Sequence, residues 1–493
     1  MLLACLPVII SGTTRGRAAY DSLNYHEKAI RQFAQELPKP NLQDYLSATT
    51  PGYHLALSTV GRAIGVGSDG KSAYDIVLFP NPASGVAPDP TINNQRRVLQ
   101  LAGLCFTLVL LYSIGSWSER RIAAGGLEPG PAIAAVVLCL PLIGSPYIYQ
   151  SAAWLLPDNS AWLGVVAVVL LALRPRVTLP VLALMGAIVV WLVVARQIHA
   201  WAAGMVWLAA WLSASLPAQR DRAGGPILPL RDLFNQATIS AAVRNLLLAM
   251  VFTIPAAAAL LGFWLLWNHQ LVPPTFVAWH HAGLQLATPA FILSLVALAA
   301  PFFCSWLRPG LLIAWRDHRG AIFVAAAIGL LLAVVPPTAW DFEHGRFGGV
   351  WGIYRKVGAV GGRSLALAVL APVGAVVVTG ALAGMTARQR WTMLGALAGF
   401  AVANCANPQL WQRYHEPFVL VWLVLASALI AQQALPTSRQ RAWRLVGPAA
   451  LAVLLAAMNA VLVLRTEPQY DKGYRLGSIE TPPDQKPQSE RGE

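Results

Sequence analysis

The chain has 493 residues, 56% of them hydrophobic and only 12% charged, with a formal net charge of +14. A water-soluble domain carries about twice that charged fraction, so water is not the main solvent here. The basic residues recur as pairs and triplets between apolar runs, not as one stripe with interleaved aromatics, which argues against a nucleic-acid partner and for topology signals.

Met1 to Ser11 is apolar but too short to cross a bilayer. It has neither a basic n-region nor a small-residue cleavage site, and reads as the end of a first span whose beginning lies upstream. A long polar stretch, 12–97, follows, and apolar runs then alternate with short connections to residue 466. The expected fold is an all-α polytopic bundle of about thirteen transmembrane helices with a long first outer loop, since apolar runs of this length satisfy their backbone inside lipid only as helices. The spans are placed at 1–12, 98–117, 131–147, 160–173, 177–195, 200–215, 245–266, 287–306, 320–337, 364–385, 392–406, 417–433 and 445–464. The tail 467–493 is polar and Pro-rich and reads as disordered. Cys5, Cys105, Cys139, Cys304 and Cys405 lie in or beside apolar runs without ligand spacing and read as packing residues.

Alternate connections carry the arginines: Arg120 and Arg121; Arg174 and Arg176; Arg220, Arg222 and Arg231; Arg308, Arg316 and Arg319; Arg388 and Arg390; Arg439, Arg441 and Arg444. The positive-inside rule assigns these to the cytoplasm. The other side, lumenal or periplasmic, then receives 12–97, 157–160, 196–201, 267–285, 341–362 and 404–416, and with them most of the His and the acids near span ends.

Along that outer side, Tyr20-Asp21-Ser22-Leu23-Asn24-Tyr25-His26-Glu27 holds a carboxylate at the membrane surface, which is either a general base or an N-cap for a helix from Ser22 to Leu37. Asp44 precedes Thr49-Thr50-Pro51-Gly52, hydroxyls that either cap a helix or bind sugar or phosphate oxygens. Asp158 is an N-cap or a sugar ligand, and Arg196-Gln197-Ile198-His199-Ala200-Trp201 offers an arginine that either snorkels or holds phosphate. His280 and His281 lack metal-ligand spacing, so no metal is expected. Arg346 sits on a Gly-rich turn, and Arg413-Tyr414-His415-Glu416 runs into a span, where charges must pair or face a polar cavity.

In their order these motifs resemble the endoplasmic-reticulum alpha-1,2-glucosyltransferases, multipass GT-C type enzymes that transfer glucose from dolichyl-phosphate-glucose to a lipid-linked oligosaccharide. The resemblance runs through Asp21, Tyr25-His26, Asp44, Thr49-Thr50-Pro51-Gly52, Pro157-Asp158, Arg196-Gln197 with Trp201, Asn268, His280-His281, and Arg413-Tyr414 before Pro417. It departs where Asp21 is followed by Ser22 and where Gln43 precedes Asp44.

The resemblance implies a glycosyltransferase domain over 1–466 that uses a polyprenyl-phosphate sugar donor and a lipid-linked or glycan acceptor, with no cofactor, by inverting displacement. It would sit in the ER membrane of a eukaryote or the inner membrane of a bacterium. Asp21, with Glu27 second, is the expected base. His26, Asp44, Thr49, Thr50, Asp158, Arg196, Gln197, His280, His281, Arg346, Arg413, Tyr414 and Glu416 are the expected substrate contacts. The competing expectation is a transporter or flippase for a lipid-linked sugar, but no internal repeat is evident.

Overall fold

The computed structural model describes residues 1–15, 17–68, 70–76, 78, 90–125, 130–216, 227, 233–234, 236–277, 283–407, 409–431, 438–466, 469, 474 and 476. The N-terminal part forms α1 (Leu2–Ser11), α2 (Arg17–Asp21), a π-helical turn (Ser22–His26), α3 (Glu27–Glu36) and α4 (Gly52–Ala63). There follow α5 (Pro90–Ala124), α6 (Pro131–Gly144), α7 (Pro146–Ala153), α8 (Asp158–Ala172), α9 (Leu179–Ala195), α10 (Ala202–Ser215) and α11 (Gln236–Leu266). The remainder is α12 (Thr288–Ala299), α13 (Cys304–Asp317), α14 (Arg319–Val334), α15 (Val350–Val357), a hairpin of β1 (Ala359–Val360) and β2 (Arg363–Ser364), α16 (Leu365–Ala383), α17 (Ala387–Cys405), α18 (Gln412–Ala431) and α19 (Ser438–Arg465).

The protein is an all-α, multi-pass integral membrane protein, but the spans divide differently from the expected thirteen. Among the described residues, six helical stretches are long and apolar enough to cross a bilayer: Pro90–Ala124, Thr238–Leu266, Thr288–Asp317, Leu365–Ala383, Gln412–Ala431 and Arg444–Arg465. The expected span 131–147 is broken at Ser145, where α6 and α7 meet at 75°; taken as one, they bring the number to seven. Four more expected spans, 1–12, 160–173, 177–195 and 320–337, are apolar helices of 10–17 residues. At 1.5 Å per residue these rise only about 15–26 Å, short of the hydrocarbon thickness. The last two are α10, of 14 residues, and α17, whose first turn carries the buried Arg388 and Arg390. Periodic hydrophobicity marks a buried helix whether or not it is long enough to span.

Burial separates centre from rim. The spanning window of α18 is 94% buried, whereas those of α11 and α19 are 17% and 22% buried. A helix apolar all round and enclosed on every side is the core of the bundle; the other two face lipid. Close crossings depend on missing side chains: a Cβ on Gly374 of α16 would stand 1.9 Å from Leu293 O of α12, and one on Gly310 of α13 would stand 2.3 Å from Gly380 O of α16.

The connections sort to two ends. At one, Arg388 Nη1 donates to Pro175 O at 3.1 Å and Trp306 Nε1 donates to Arg444 O at 2.8 Å, so arginine-bearing connections meet. At the other, Thr50 Oγ1 donates to Val193 O at 2.7 Å, Thr275 Oγ1 to Asp44 at 2.6 Å and Arg346 Nη2 to Gln285 Oε1 at 2.7 Å. The first loop, the 267–285 segment and the 341–362 segment thus share one end of the bundle. His280 and His281 lie outside the described residues, as does the tail apart from 469, 474 and 476.

Exposed Asn41 and Lys356 belong to that end, and exposed Arg316 to the opposite one. We therefore expect cysteines at 41 and 356 to react with an impermeant maleimide from the same membrane side and a cysteine at 316 from the other. Labelling of 41 and 356 from opposite sides would contradict this arrangement.

Candidate functional site

Asp21 is a helical residue, with φ −63° and ψ −42°, and makes no capping bond. The cap expected of it is absent because the chain is already helical from Arg17. Directly after it the backbone widens into the π-helical turn Ser22–His26, a departure from α-geometry that often marks functional positions. The Asp21 carboxylate is buried and accepts a hydrogen bond from Arg413 Nη1, carried on the first turn of α18.

A second acid–cation pair stands beside the first. Asp158 is the first residue of α8, whose N-cap is Pro157, and instead of capping it binds Arg196. Tyr414 lies against both guanidiniums, with Arg196 4.8 Å and Arg413 5.0 Å from its ring centre, and Arg413 also lies 4.7 Å from Trp411. Around these pairs is a polar cavity of about 80 Å³, lined also by Tyr25, His26, Ser47, Thr49, Phe276 and Gln409. Within it, Thr49 Oγ1 is 3.0 Å from Ser47 Oγ.

Several expected residues build the walls instead of the lining. Thr50 Oγ1 donates to Val193 O, and the Thr50 N–H donates to Gln197 Oε1 at 3.1 Å. Gln197 Nε2 in turn donates to Ala48 O at 3.0 Å. These bonds pin α4 to the end of α9, and Gly52 permits the approach, since a Cβ there would meet Val194 O at 2.8 Å. Asp44 clamps Thr275 through its N–H and hydroxyl. Arg346 is buried against Gln285 and Ala339 O, away from the cavity, and burial holds its guanidinium below its ordinary value.

Glu27 is fully buried and does not line the cavity. Its two oxygens accept from Arg31 Nε at 3.0 Å and Arg96 Nε at 2.6 Å. Burial alone would raise its carboxyl, but Arg96 and Arg31 outweigh that and hold it below the usual carboxylate range. With Arg96 Nη2 also donating to Leu78 O at 2.8 Å, the triad ties the first loop to the protruding start of α5.

A second hollow adjoins the polar one. It is a largely apolar groove of about 740 Å³ between the α6–α7 break, Phe347–Gly349, the start of α18 and the Leu454–Leu462 face of α19. Trp411 and Arg413 line both hollows. Glu416 lies beside its wall in α18, where Ser145 Oγ donates to it at 3.0 Å and Gln412 Nε2 also donates. Gln412 Oε1 accepts from Val350 N at 2.9 Å, which holds the glycine turn against the groove.

Sequence reasoning did not single out Ser47, Trp411 or His54 as site residues, although each lies two residues from a motif it quoted. Tyr474 had no signal at all, yet its ring stacks on Tyr25 at 5.8 Å and its hydroxyl is 3.0 Å from that of Tyr20. Among the described residues no cluster of three or more His, Cys, Asp or Glu has the grouping of a metal site. No family model, curated protein or solved structure matches the chain.

Removing one partner of a buried ion triad costs about 3–5 kcal/mol because the remaining charges are left unpaired. Glu27→Ala is therefore expected to lower stability by roughly that amount, read by thermal unfolding in detergent. Because the folded carboxyl is held below its ordinary 4.5, its stabilising contribution is complete above that pH and is lost as pH falls toward the folded value. The stability gap between wild type and Glu27→Ala should accordingly close in acid. A gap that widened in acid would contradict the triad.

Proposed function

We propose that the protein is a membrane glycosyltransferase that moves glucose, or another hexose, from a polyprenyl phosphate to a lipid-linked glycan acceptor with inversion. The reading rests on one juxtaposition: a polar cavity holding two acid–guanidinium pairs shares Arg413 and Trp411 with a large apolar groove. A ligand matching both halves has a phosphate-bearing polar head and a long hydrocarbon tail. A polyprenyl-phosphate sugar is such a ligand. Its site faces the lumen or periplasm, on the side opposite the arginine-rich connections.

The two pairs supply the chemistry. A donor phosphate competes with the carboxylates for Arg413 and Arg196, and bidentate guanidinium–phosphate bonding makes it a strong competitor. With the phosphate on Arg413, the Asp21 carboxylate takes the proton of an acceptor hydroxyl. The hydroxyl oxygen attacks the anomeric carbon from the face opposite the phosphate. The bond from that carbon to the phosphate oxygen breaks, its electron pair leaves with the phosphate, and the guanidiniums neutralise the charge that develops. Glu27, locked between two arginines, has no part in the proton transfer.

The test is incubation of purified protein with labelled polyprenyl-phosphate-glucose and lipid-linked acceptors, with the product linkage read directly. Movement of intact donor across a vesicle membrane without a new glycosidic bond would favour a flippase instead. Asp21→Asn is expected to lower turnover by about 10²–10⁴-fold while donor binding survives, since removing a general base costs that much and Arg413 remains. Arg413→Ala should weaken donor binding roughly 10–100-fold, the worth of a charged hydrogen bond. Donor affinity unchanged in Arg413→Ala, with collapsed thermal stability, would make the Asp21 pair purely structural.

A further inference from the structure

Beside the two ion pairs the cavity carries an imidazole. His26 ends the π-helical turn, half-buried, and lines the cavity within a turn of Asp21. Its Nδ1 lies 2.9 Å from Nε2 of His54 on the first turn of α4, the two rings 20° from coplanar. His54 is fully buried, and its Nδ1 has no hydrogen-bond partner among the described residues.

Both rings are neutral at ordinary pH. Burial, then the Arg413 and Arg196 charges, push His26 down to about 3, and burial, then His26, pushes His54 well below its usual value. Asp21 and Asp158 do not offset this, because each is committed to one of the same arginines. Two neutral imidazoles can share their bond in two ways. If His26 donates, His54 carries its proton on Nδ1, where a buried N–H stands without an acceptor among the described residues, on the first turn of α4, whose opening N–H groups have no intrahelical partner. If His54 donates from Nε2, its Nδ1 carries a lone pair instead, and the positive end of the helix favours a lone pair over a proton. The second arrangement is the better satisfied, and it makes His26 Nδ1 an acceptor with its own proton on Nε2.

We propose that His26 is a neutral hydrogen-bond donor to a hydroxyl oxygen of the hexose being transferred, held in its Nε2–H tautomer by His54. The contact is assigned to the sugar because Arg413 and Arg196 already match the phosphate. It rests on the glycosyl-transfer reading, while the tautomer itself does not. His26 is thereby a binding residue, distinct from the base, and His54 a positioning residue that never touches the ligand.

The tautomer is read from nitrogen-15 NMR of the full protein labelled at histidine, with His26 assigned by the signal lost in His26→Gln. A bare Nδ1 and a protonated Nε2 on His26 are expected. The reverse tautomer, or an imidazolium at pH 7, overturns the proposal. The contact is read from the binding of two probes, polyprenyl phosphate and polyprenyl-phosphate-glucose. His26→Phe should lose up to about tenfold in affinity for the glucosylated lipid alone, the worth of one neutral hydrogen bond. His26→Gln, which keeps a donor, should lose less. Equal weakening toward both lipids, or none in a folded His26→Phe, overturns the sugar contact. Should the wild type bind neither lipid, the glycosyl-transfer reading falls and the sugar contact with it, whereas the tautomer still stands or falls by its own spectrum.

Discussion

Arg413 bonds to Asp21 across 392 positions of sequence, and the outer end of the molecule is organised around that contact. An arginine on the first turn of the most deeply enclosed helix cannot remain unpaired at low dielectric, and a carboxylate from the first loop answers it. The pairing brings the π-helical turn against the start of α18. Tyr414, the next residue, then lies under both Arg413 and Arg196, so the second acid–cation pair is held beside the first by a shared ring.

The same helix start joins polar and apolar space. Trp411 and Arg413 border the cavity and the groove together, and Gln412 connects the groove wall to Glu416 on one side and to the Gly348-Gly349 turn on the other. Gly349 has φ +49°, and a Cβ there would stand 2.1 Å from Gln412 Oε1. For the lipid-borne donor proposed above, this surface offers hydrocarbon contact along α19 in the same groove that Arg413 lines. That proximity is what a phosphate anchored to a membrane tail requires, since its headgroup cannot travel far from the interface.

Buried charge serves two different purposes in the first loop. Glu27 is bonded to two arginines at once, and the pairing with Arg96 fastens the loop to α5. Asp21 and Asp158 are paired as well, but at a cavity, where in the proposed reaction the donor phosphate would exchange partners with them. Both kinds of acid look alike in sequence, six residues apart in the same helical run.

Composition and the long apolar runs were enough to indicate a helical multi-pass membrane protein, because an unbroken apolar run of that length satisfies its backbone in lipid only as a helix and charge is tolerated mainly at the surfaces. Asp21, His26, Thr49, Asp158, Arg196, Arg413 and Tyr414 stood out in the sequence as polar residues close to apolar runs, and the fold gathers them around one cavity. The number of full spans was not legible, because a buried helix of 10–17 residues and a membrane-crossing one share the same hydrophobicity. Nor were the roles of Asp21, Thr50 and Asp158: each sits where a capping residue would, and local spacing cannot see Arg413, Val193 or Arg196 arriving from elsewhere in the chain. Only tertiary packing decided that Glu27 faces two arginines and Asp21 a cavity, since burial and partner choice are properties of the assembled bundle and not of six adjacent residues.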